Sequence, residues 1–312
     1  MSTSTIARPA SAARTLIPTG VGFADGEYKP VEQLSVSVLD YGFTRSDVTY
    51  DVVHVWDGRF FRLEHHLDRF LASMAALRMT IPHDRDAIRA ILMECVRRTG
   101  LRQAYVAMLC TRGRPPAGVR DLRQCANRFV AYALPFIWIA SPEKQQSGLS
   151  AVIASRPRIP AQSVDPTIKN YHWLDMERSL FDAYDAGADT VILPSLDGDV
   201  TEGPGFNVFA VRDGMVITPD SGVLEGITRQ TVIDICRRNG IAIEVRRVAL
   251  AELRDADEIF LTSTAGGVMP VTRLDGRVYG NGAPGAMTTR IRDLYWTWHR
   301  EEAETTAVAY DD

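Results

Sequence analysis

Lys169 is the residue whose type and setting most clearly indicate chemistry. The 312-residue chain has 35 basic side chains, and only three of them are lysines. Lys29 and Lys144 lie in polar turns, whereas Lys169 stands between Ile168 and the aromatic residues at 171–173. A lysine held among apolar groups loses hydration, which lowers its pKa and leaves a neutral amine that can attack carbonyl carbons. Lys169 is therefore a candidate nucleophile; the alternative is a lysine that extends from the edge of the core into solvent.

A carboxylate and two glycine-containing turns follow in the second half of the chain. Glu202 precedes the tight turn 203–205, where it could hold a proton on a ring nitrogen or serve as an ordinary turn acid. The segment 226–229 (G-I-T-R) opens a helix, and free N–H groups at a helix start favour an anion such as phosphate. Thr228 could instead simply cap that helix. The turn 262–267 (T-S-T-A-G-G) adds hydroxyls at a strand end, and neither turn has the spacing of a P-loop or a dinucleotide-binding fingerprint.

Strands and helices alternate along the whole chain and must position these groups. Apolar residues at helical spacing predict helices near residues 67–77, 84–98, 174–186, 228–238 and 286–300. Alternating and buried apolar runs predict strands within 21–39, 51–61, 105–110, 129–134, 149–154, 190–193, 206–211, 215–218, 241–245 and 258–262. Several Asp-Gly hairpin turns argue against a purely parallel sheet. The predicted fold class is therefore mixed α/β (α+β) in two domains.

The predicted domain boundary lies at residues 136–148, which hold a polar, proline-containing tract. We expect a flexible tail over 1–18, a small α/β domain over 19–135 and a larger domain over 149–312. The 46% hydrophobic composition predicts a protein with a sizeable core, and the cysteine pattern predicts a reducing, cytoplasmic location; the net charge is −4. The chain has no basic stripe for nucleic acid and no apolar run of the roughly 20 residues that cross a membrane. The four widely spaced cysteines favour buried thiols over disulfides or a metal site.

Five motifs resemble, in order and spacing, the fold-type IV pyridoxal-phosphate aminotransferases. They are R-L-E-H-H-L-D-R-F with Arg69, T-I-K-N-Y-H-W with Lys169, T-E-G-P-G-F-N-V-F with Glu202, G-I-T-R and T-S-T-A-G-G. The group includes branched-chain, D-amino-acid and (R)-selective amine transaminases. The segments Y-D-V-V-H-V-W-D-G, K-N-Y-H-W and E-G-P-G-F-N-V-F are most similar to the (R)-selective amine:pyruvate enzymes. The resemblance spans about residues 21–298 and implies an active site at the interface of two domains.

The resemblance implies a role for each matched residue. Lys169 would form an aldimine with pyridoxal 5′-phosphate and then move the proton during catalysis. Glu202 would pair with the ring nitrogen, and Arg69 would bind the phosphate. The remaining cofactor-binding residues would be Ile227, Thr228, Ser263 and Thr264. The substrate pocket would be formed by Tyr50, Val52, Ala107, Trp173, Thr264 and Ala265.

Two arginines are predicted to select the substrate. Arg120, with Arg45, would bind the carboxylate of a keto-acid acceptor such as pyruvate; the alternative is that both are ordinary surface arginines. The expected reaction transfers an amino group between an (R)-amine or D-amino acid and a keto acid or ketone, in a homodimer that shares pocket residues across its interface. The alternatives are a strict D-amino-acid transaminase, a branched-chain aminotransferase, an aminodeoxychorismate lyase and a non-catalytic cofactor-binding homologue.

Overall fold

The computed structural model describes residues 19–310, so the tail predicted over 1–18 lies outside the described part of the chain. The strands are β1 (Val21–Ala24), β2 (Glu27–Pro30), β3 (Val48–Trp56), β4 (Arg59–Phe61), β5 (Ala104–Arg114), β6 (Ala126–Pro135), β7 (Leu149–Ile153), β8 (Thr190–Ile192), β9 (Glu202–Gly203), β10 (Phe206–Arg212), β11 (Met215–Thr218), β12 (Ile243–Val245), β13 (Glu258–Ser263), β14 (Gly267–Leu274), β15 (Arg277–Val278) and β16 (Thr305–Ala307). The helices are α1 (Tyr41–Arg45), α2 (Leu63–Ala76), α3 (Arg85–Thr99), α4 (Pro142–Ser147), α5 (Leu174–Asp185), α6 (Ile227–Arg238), α7 (Leu250–Arg254) and α8 (Ala286–Trp298). The mixed α/β class is confirmed.

The first sheet has seven strands in the order β16-β4-β3-β5-β6-β1-β2, and all its neighbouring pairs are antiparallel. Helices α2 and α3 cover one face, where Phe60, Leu67, Phe70 and Leu92 form the core. Because side chains alternate along a strand, the opposite face of β3 points away from these helices. That opposite face is left to form one wall of a cavity.

The second sheet has nine strands, with β12-β11-β10-β13-β14-β7-β8 in sequence across it and with β15 and β9 paired to β14 and β10. Antiparallel hairpins form its centre. At the two sides, β12 pairs in parallel with β11, β7 with β14, and β8 with β7. Helices α6 and α8 pack over the stacked rings of Phe209 and Phe260, whose centroids are 4.7 Å apart. This packing fixes the first turn of α6 beside the ends of β10 and β13.

The C-terminal segment returns to the first sheet, which the sequence did not predict. In β16, Thr305 and Thr306 pair with Phe61 and Phe60 of β4. Before β16 begins, the Glu304 carboxylate accepts a hydrogen bond of 2.7 Å from the buried Arg62. The assignment of 149–312 to the second domain alone therefore does not describe this last strand.

Candidate active site

A cavity of about 500 Å³ lies between the two sheets. All the predicted cofactor-binding residues line it, namely Arg69, Lys169, Glu202, Ile227, Thr228, Ser263 and Thr264. Among the predicted substrate-binding residues, Tyr50, Val52, Trp173 and Ala265 also line it. The fold thus brings together groups that are separated by up to 215 positions in the sequence, from Tyr50 to Ala265.

Lys169 is held in the cavity by its own backbone. Its carbonyl accepts hydrogen bonds from the Thr49 hydroxyl (2.7 Å) and the Tyr50 N–H (3.3 Å) of β3. Its N–H donates to the Ser73 hydroxyl of α2 (3.3 Å). The ammonium lies 4.4 Å from the centre of the Tyr50 ring. Burial, followed by the positive charge of Arg69, lowers the pKa of Lys169 to about 8. A substantial fraction of neutral amine is therefore present near physiological pH.

Glu202 is buried at the floor of the cavity on β9, opposite Asn207 of β10. One carboxylate oxygen accepts the Leu224 N–H at 2.9 Å, and the other accepts the Arg158 Nε–H at 3.2 Å. Burial raises the pKa of Glu202, while Arg158 and the Leu224 N–H oppose that rise. Arg158 was missed by the sequence reasoning because the irregular loop before Lys169 has no periodic signal.

The start of α6 has no side-chain cap and is a candidate anion site. Its N-cap is Gly226, which supplies no side-chain cap. A side chain at Gly226 would collide with the Asn207 amide, whose Nδ2 donates to the Leu224 carbonyl at 2.8 Å. The hydroxyl of Thr262 also lines this cavity and is buried without a hydrogen-bond partner among residues 19–310. The free N–H groups at this helix start are suited to a phosphate, and an unpartnered hydroxyl in the same cavity is suited to a polar ligand.

Arg69 is fixed beside that helix start by a buried carboxylate. Its Nε and Nη2 donate to the two oxygens of Asp51 at 2.7 and 2.9 Å, and its Nη1 donates to the Glu225 carbonyl at 3.0 Å. The His66 Nδ1 lies 2.8 Å from the same carboxylate. Burial raises the pKa of Asp51, but Arg69 and His66 overcome this effect and hold that pKa below its ordinary value. Asp51 is therefore an ionised anchor for the guanidinium.

The side of the cavity away from α6 is mainly apolar and aromatic. Tyr105 and Tyr132, which the sequence reasoning missed, line it together with Tyr50, Val52 and Trp173. The signal that could have found them is the two-residue alternation of β5 and β6, which puts them on the face of Ala107 and Val52.

Three predicted substrate residues do not line the cavity. Ala107 is buried in a cluster with Tyr50 and Val52 on the same face of the first sheet, but it is not among the residues that line the cavity. Arg45 is exposed on α1, with its guanidinium 3.6 Å from the centre of the Tyr41 ring. Arg120 is exposed in the loop that follows β5. Their predicted contacts are therefore absent from the single chain over residues 19–310.

The donor set fits pyridoxal phosphate group by group. The Lys169 amine suits an aldehyde, the buried Glu202 carboxylate suits a protonated pyridine nitrogen, and Arg69 with the α6 start suits a phosphate. The cavity reaches the start of α6, where Gly226, Ile227 and Thr228 line it, so there is room for a ligand at this end.

The fold and this site define a class of cofactor-dependent amino-group transfer enzymes, and comparison with known proteins agrees. The model of the class IV amino-transferase family matches residues 49–274. The D-alanine aminotransferase of Bacillus licheniformis is 31% identical over 86% of this chain and 93% of its own length. The branched-chain-amino-acid aminotransferase of Pseudomonas aeruginosa is 29% identical over 89% of this chain and 92% of its own.

Solved structures of aminotransferases are also similar to this chain. A branched-chain amino acid aminotransferase from T.th., solved with pyridoxamine 5′-phosphate, has a TM-score of 0.88 and 30% identity, covering 94% of this chain and 100% of its own. The holo-form enzyme of Thermobaculum terrenum has a TM-score of 0.84 and 29% identity, covering 94% and 99%. This chain belongs to the class IV aminotransferase family. It is a pyridoxal-phosphate-dependent aminotransferase, as the motifs predicted.

Proposed function

We propose that this aminotransferase acts on (R)-amines, with a keto acid such as pyruvate as the acceptor. The observation that carries the proposal is the chemistry of the cavity wall. Among residues 19–310, the cationic side chains that line it are Arg69, Arg158 and Lys169, and the two guanidiniums are already bound to carboxylates. The wall opposite α6 offers aromatic and aliphatic contacts. Such a wall favours an amine donor with an apolar substituent over a donor with a carboxylate.

Each assigned residue has a distinct task. Bound pyridoxal phosphate supplies an aldehyde and an electron-withdrawing ring. Because the pKa of Lys169 is lowered to about 8, part of the amine is neutral near physiological pH. The neutral amine can bind the cofactor aldehyde and can accept a proton at Nζ. Glu202 holds a proton at the ring nitrogen. Arg69, Ile227, Thr228, Ser263 and Thr264 hold the phosphate, while Tyr50, Val52 and Trp173 exclude water around the donor.

The acceptor carboxylate needs a cation, and we assign it to Arg120 with help from Arg45. Both side chains are exposed, so the proposal includes a homodimer or a loop movement that brings them to a cavity. Val38, Leu39 and Phe43, next to Arg45, are 69%, 62% and 69% exposed. An apolar patch of this kind supports coverage by a second copy.

The first experiment is the absorbance spectrum of the purified holoenzyme during addition of amine without acceptor. We expect (R)-1-phenylethylamine to bleach the yellow band of the bound cofactor and the (S)-enantiomer to leave it unchanged. Lys169→Ala given fresh cofactor is the control and should not bleach. Bleaching by D-alanine alone would assign the enzyme to D-amino acids, and bleaching by L-leucine alone would assign it to branched-chain amino acids; either result contradicts the proposal.

The second experiment tests the acceptor subsite. Arg120→Ala should raise the KM for pyruvate without changing the half-reaction of (R)-1-phenylethylamine. Arg123→Ala is the matched control, since Arg123 lies in the same loop and its side chain is 89% exposed beside Asp121. An unchanged KM for pyruvate in Arg120→Ala would remove Arg120 from the proposal.

A further inference from the structure

Arg158 is a buried arginine that contacts two carboxylates on different elements. Its Nε donates to Glu202 at 3.2 Å, and its Nη1 donates to Asp175 in the first turn of α5 at 2.7 Å. Its backbone N–H donates to the Pro194 carbonyl at 2.8 Å, and the next N–H, of Ile159, donates to Asp175 at 2.8 Å. Only 7% of the residue is exposed. The guanidinium is therefore fixed between two carboxylates.

This arrangement places a permanent positive charge behind Glu202, on the side away from its other partner, the Leu224 N–H. A buried carboxylate without a cation binds a proton readily, because burial disfavours its charged form. A fixed cation has the opposite effect and makes the carboxylate a weaker base. The second nearby cation, Lys169, has a pKa of about 8 and is not permanently charged. The constant charge at Glu202 therefore comes from Arg158.

We propose that Arg158 is a positioning residue that keeps the proton shared by Glu202 and the cofactor ring on the ring nitrogen. The inference rests on the proposed role of Glu202 toward pyridoxal phosphate. With Arg158 in place, Glu202 stays a carboxylate and accepts a hydrogen bond from the protonated nitrogen. Without it, Glu202 becomes the stronger base and takes the proton, so the ring loses its positive charge.

A direct role of Arg158 in binding a substrate carboxylate fits the contacts less well. Its Nε and Nη1 already donate to Glu202 and Asp175, and replacing either bond would leave a buried carboxylate without its cation. Breaking a buried ion pair in this way is strongly unfavourable. Arg158 therefore acts through Glu202.

The test is the ¹⁵N NMR shift of the ring nitrogen in holoenzyme loaded with ¹⁵N-labelled pyridoxal 5′-phosphate. We expect a protonated nitrogen in the unmodified protein. In Arg158→Met the shift should move toward that of unprotonated pyridine. The amine half-reaction should slow by about 10- to 100-fold, by analogy with the loss of an outer partner of a metal ligand. Arg158→Lys, which keeps the charge, should restore much of the protonated signal.

Two further variants keep the result interpretable. Arg156→Met is the matched control, because Arg156 pairs with Asp182 of the same helix α5; it should leave the ¹⁵N shift unchanged. If Arg158→Met does not fold, Arg158→Met combined with Asp175→Asn removes the orphan carboxylate along with the cation. A folded variant without Arg158 that keeps the protonated shift would overturn the inference, as would an unprotonated nitrogen in the unmodified enzyme. Bleaching by D-alanine alone or L-leucine alone, with the ¹⁵N shifts as expected, would instead refute the proposed donor and leave the role of Arg158 intact.

Discussion

Replacing Asp51 by Asn should selectively weaken binding of the cofactor phosphate. Asp51 is fully buried and receives two N–H groups of Arg69 and the ring of His66. The amide has one acceptor oxygen in place of two and brings N–H donors against other donors. The Arg69 guanidinium would then lose its fixed orientation beside the start of α6.

The magnitude follows from these contacts. Removing one partner of a buried ion pair lowers the free energy of unfolding by about 3–5 kcal/mol. A hydrogen bond to a charged group contributes about 1.5–3 kcal/mol. If Arg69 loses one such bond to the phosphate, the dissociation constant of pyridoxal 5′-phosphate rises by about 10- to 150-fold. The folded fraction of the variant must be verified by denaturant titration, because both effects act together.

The assay compares the dissociation constants of the apo-protein for pyridoxal 5′-phosphate and for pyridoxal, which lacks the phosphate. In Asp51→Asn the dissociation constant for pyridoxal 5′-phosphate should rise, whereas that for pyridoxal should stay the same. Asp47→Asn is the matched control, because Asp47 makes a similar two-point contact with Arg112, at 2.8 and 3.1 Å, just before β3. Equal weakening for both ligands, or the same selectivity in Asp47→Asn, would refute the role of Asp51 in placing Arg69.

Three more outcomes are expected. The rate at which the apo-protein attaches pyridoxal phosphate, measured by stopped flow, should rise with pH around a midpoint near 8. The reason is that the neutral amine of Lys169 predominates above its lowered pKa. A midpoint near 10.5, the ordinary pKa of lysine, would contradict this. Gly226→Ala should displace the start of α6 from Asn207 and lower the cofactor affinity measured by fluorescence titration. Unchanged affinity would count against the phosphate site. Arg62→Met should lower the free energy of unfolding by about 1.5–3 kcal/mol, because it removes the hydrogen bonds from Arg62 to the partly exposed carboxylates of Asp234 and Glu304. A loss below about 1 kcal/mol in urea titration would exclude that ion network as a stabiliser.

The residues that we assign to the reaction and to cofactor binding were predictable, because such chemistry requires particular side chains in short local motifs. Lys169, Glu202 and Arg69 are each recognisable within such a motif, and the structure brings them to one cavity. Their supporting partners were not predictable. Arg158 lies 44 positions from Glu202 and Asp51 lies 18 from Arg69, so these pairs meet only through tertiary folding.

Elements of the fold that have a local sequence signal were predicted, and an element without one was missed. Helices α2, α3, α5, α6 and α8 have apolar periodicity, and their predicted ranges overlap those in the structure. Strand β14 was missed because Pro270 interrupts its pattern, and prolines are unusual inside strands. Arg45 and Arg120 were assigned from motif position alone, and nothing in their local sequence determines which surface they reach.

The pairing of β16 with β4 affects the order in which the chain can mature during synthesis. Phe61 leaves the ribosome 244 residues before its partner Thr305. At about 5–20 residues per second, translation takes roughly 12 to 50 s to cover that interval. During this time the β4 edge of the first sheet has unpaired N–H and C=O groups, which are prone to join other strands. Nascent chains of this protein are therefore exposed to misassociation at β4 during this interval, and a chaperone that shields this edge would act before the C-terminal segment arrives.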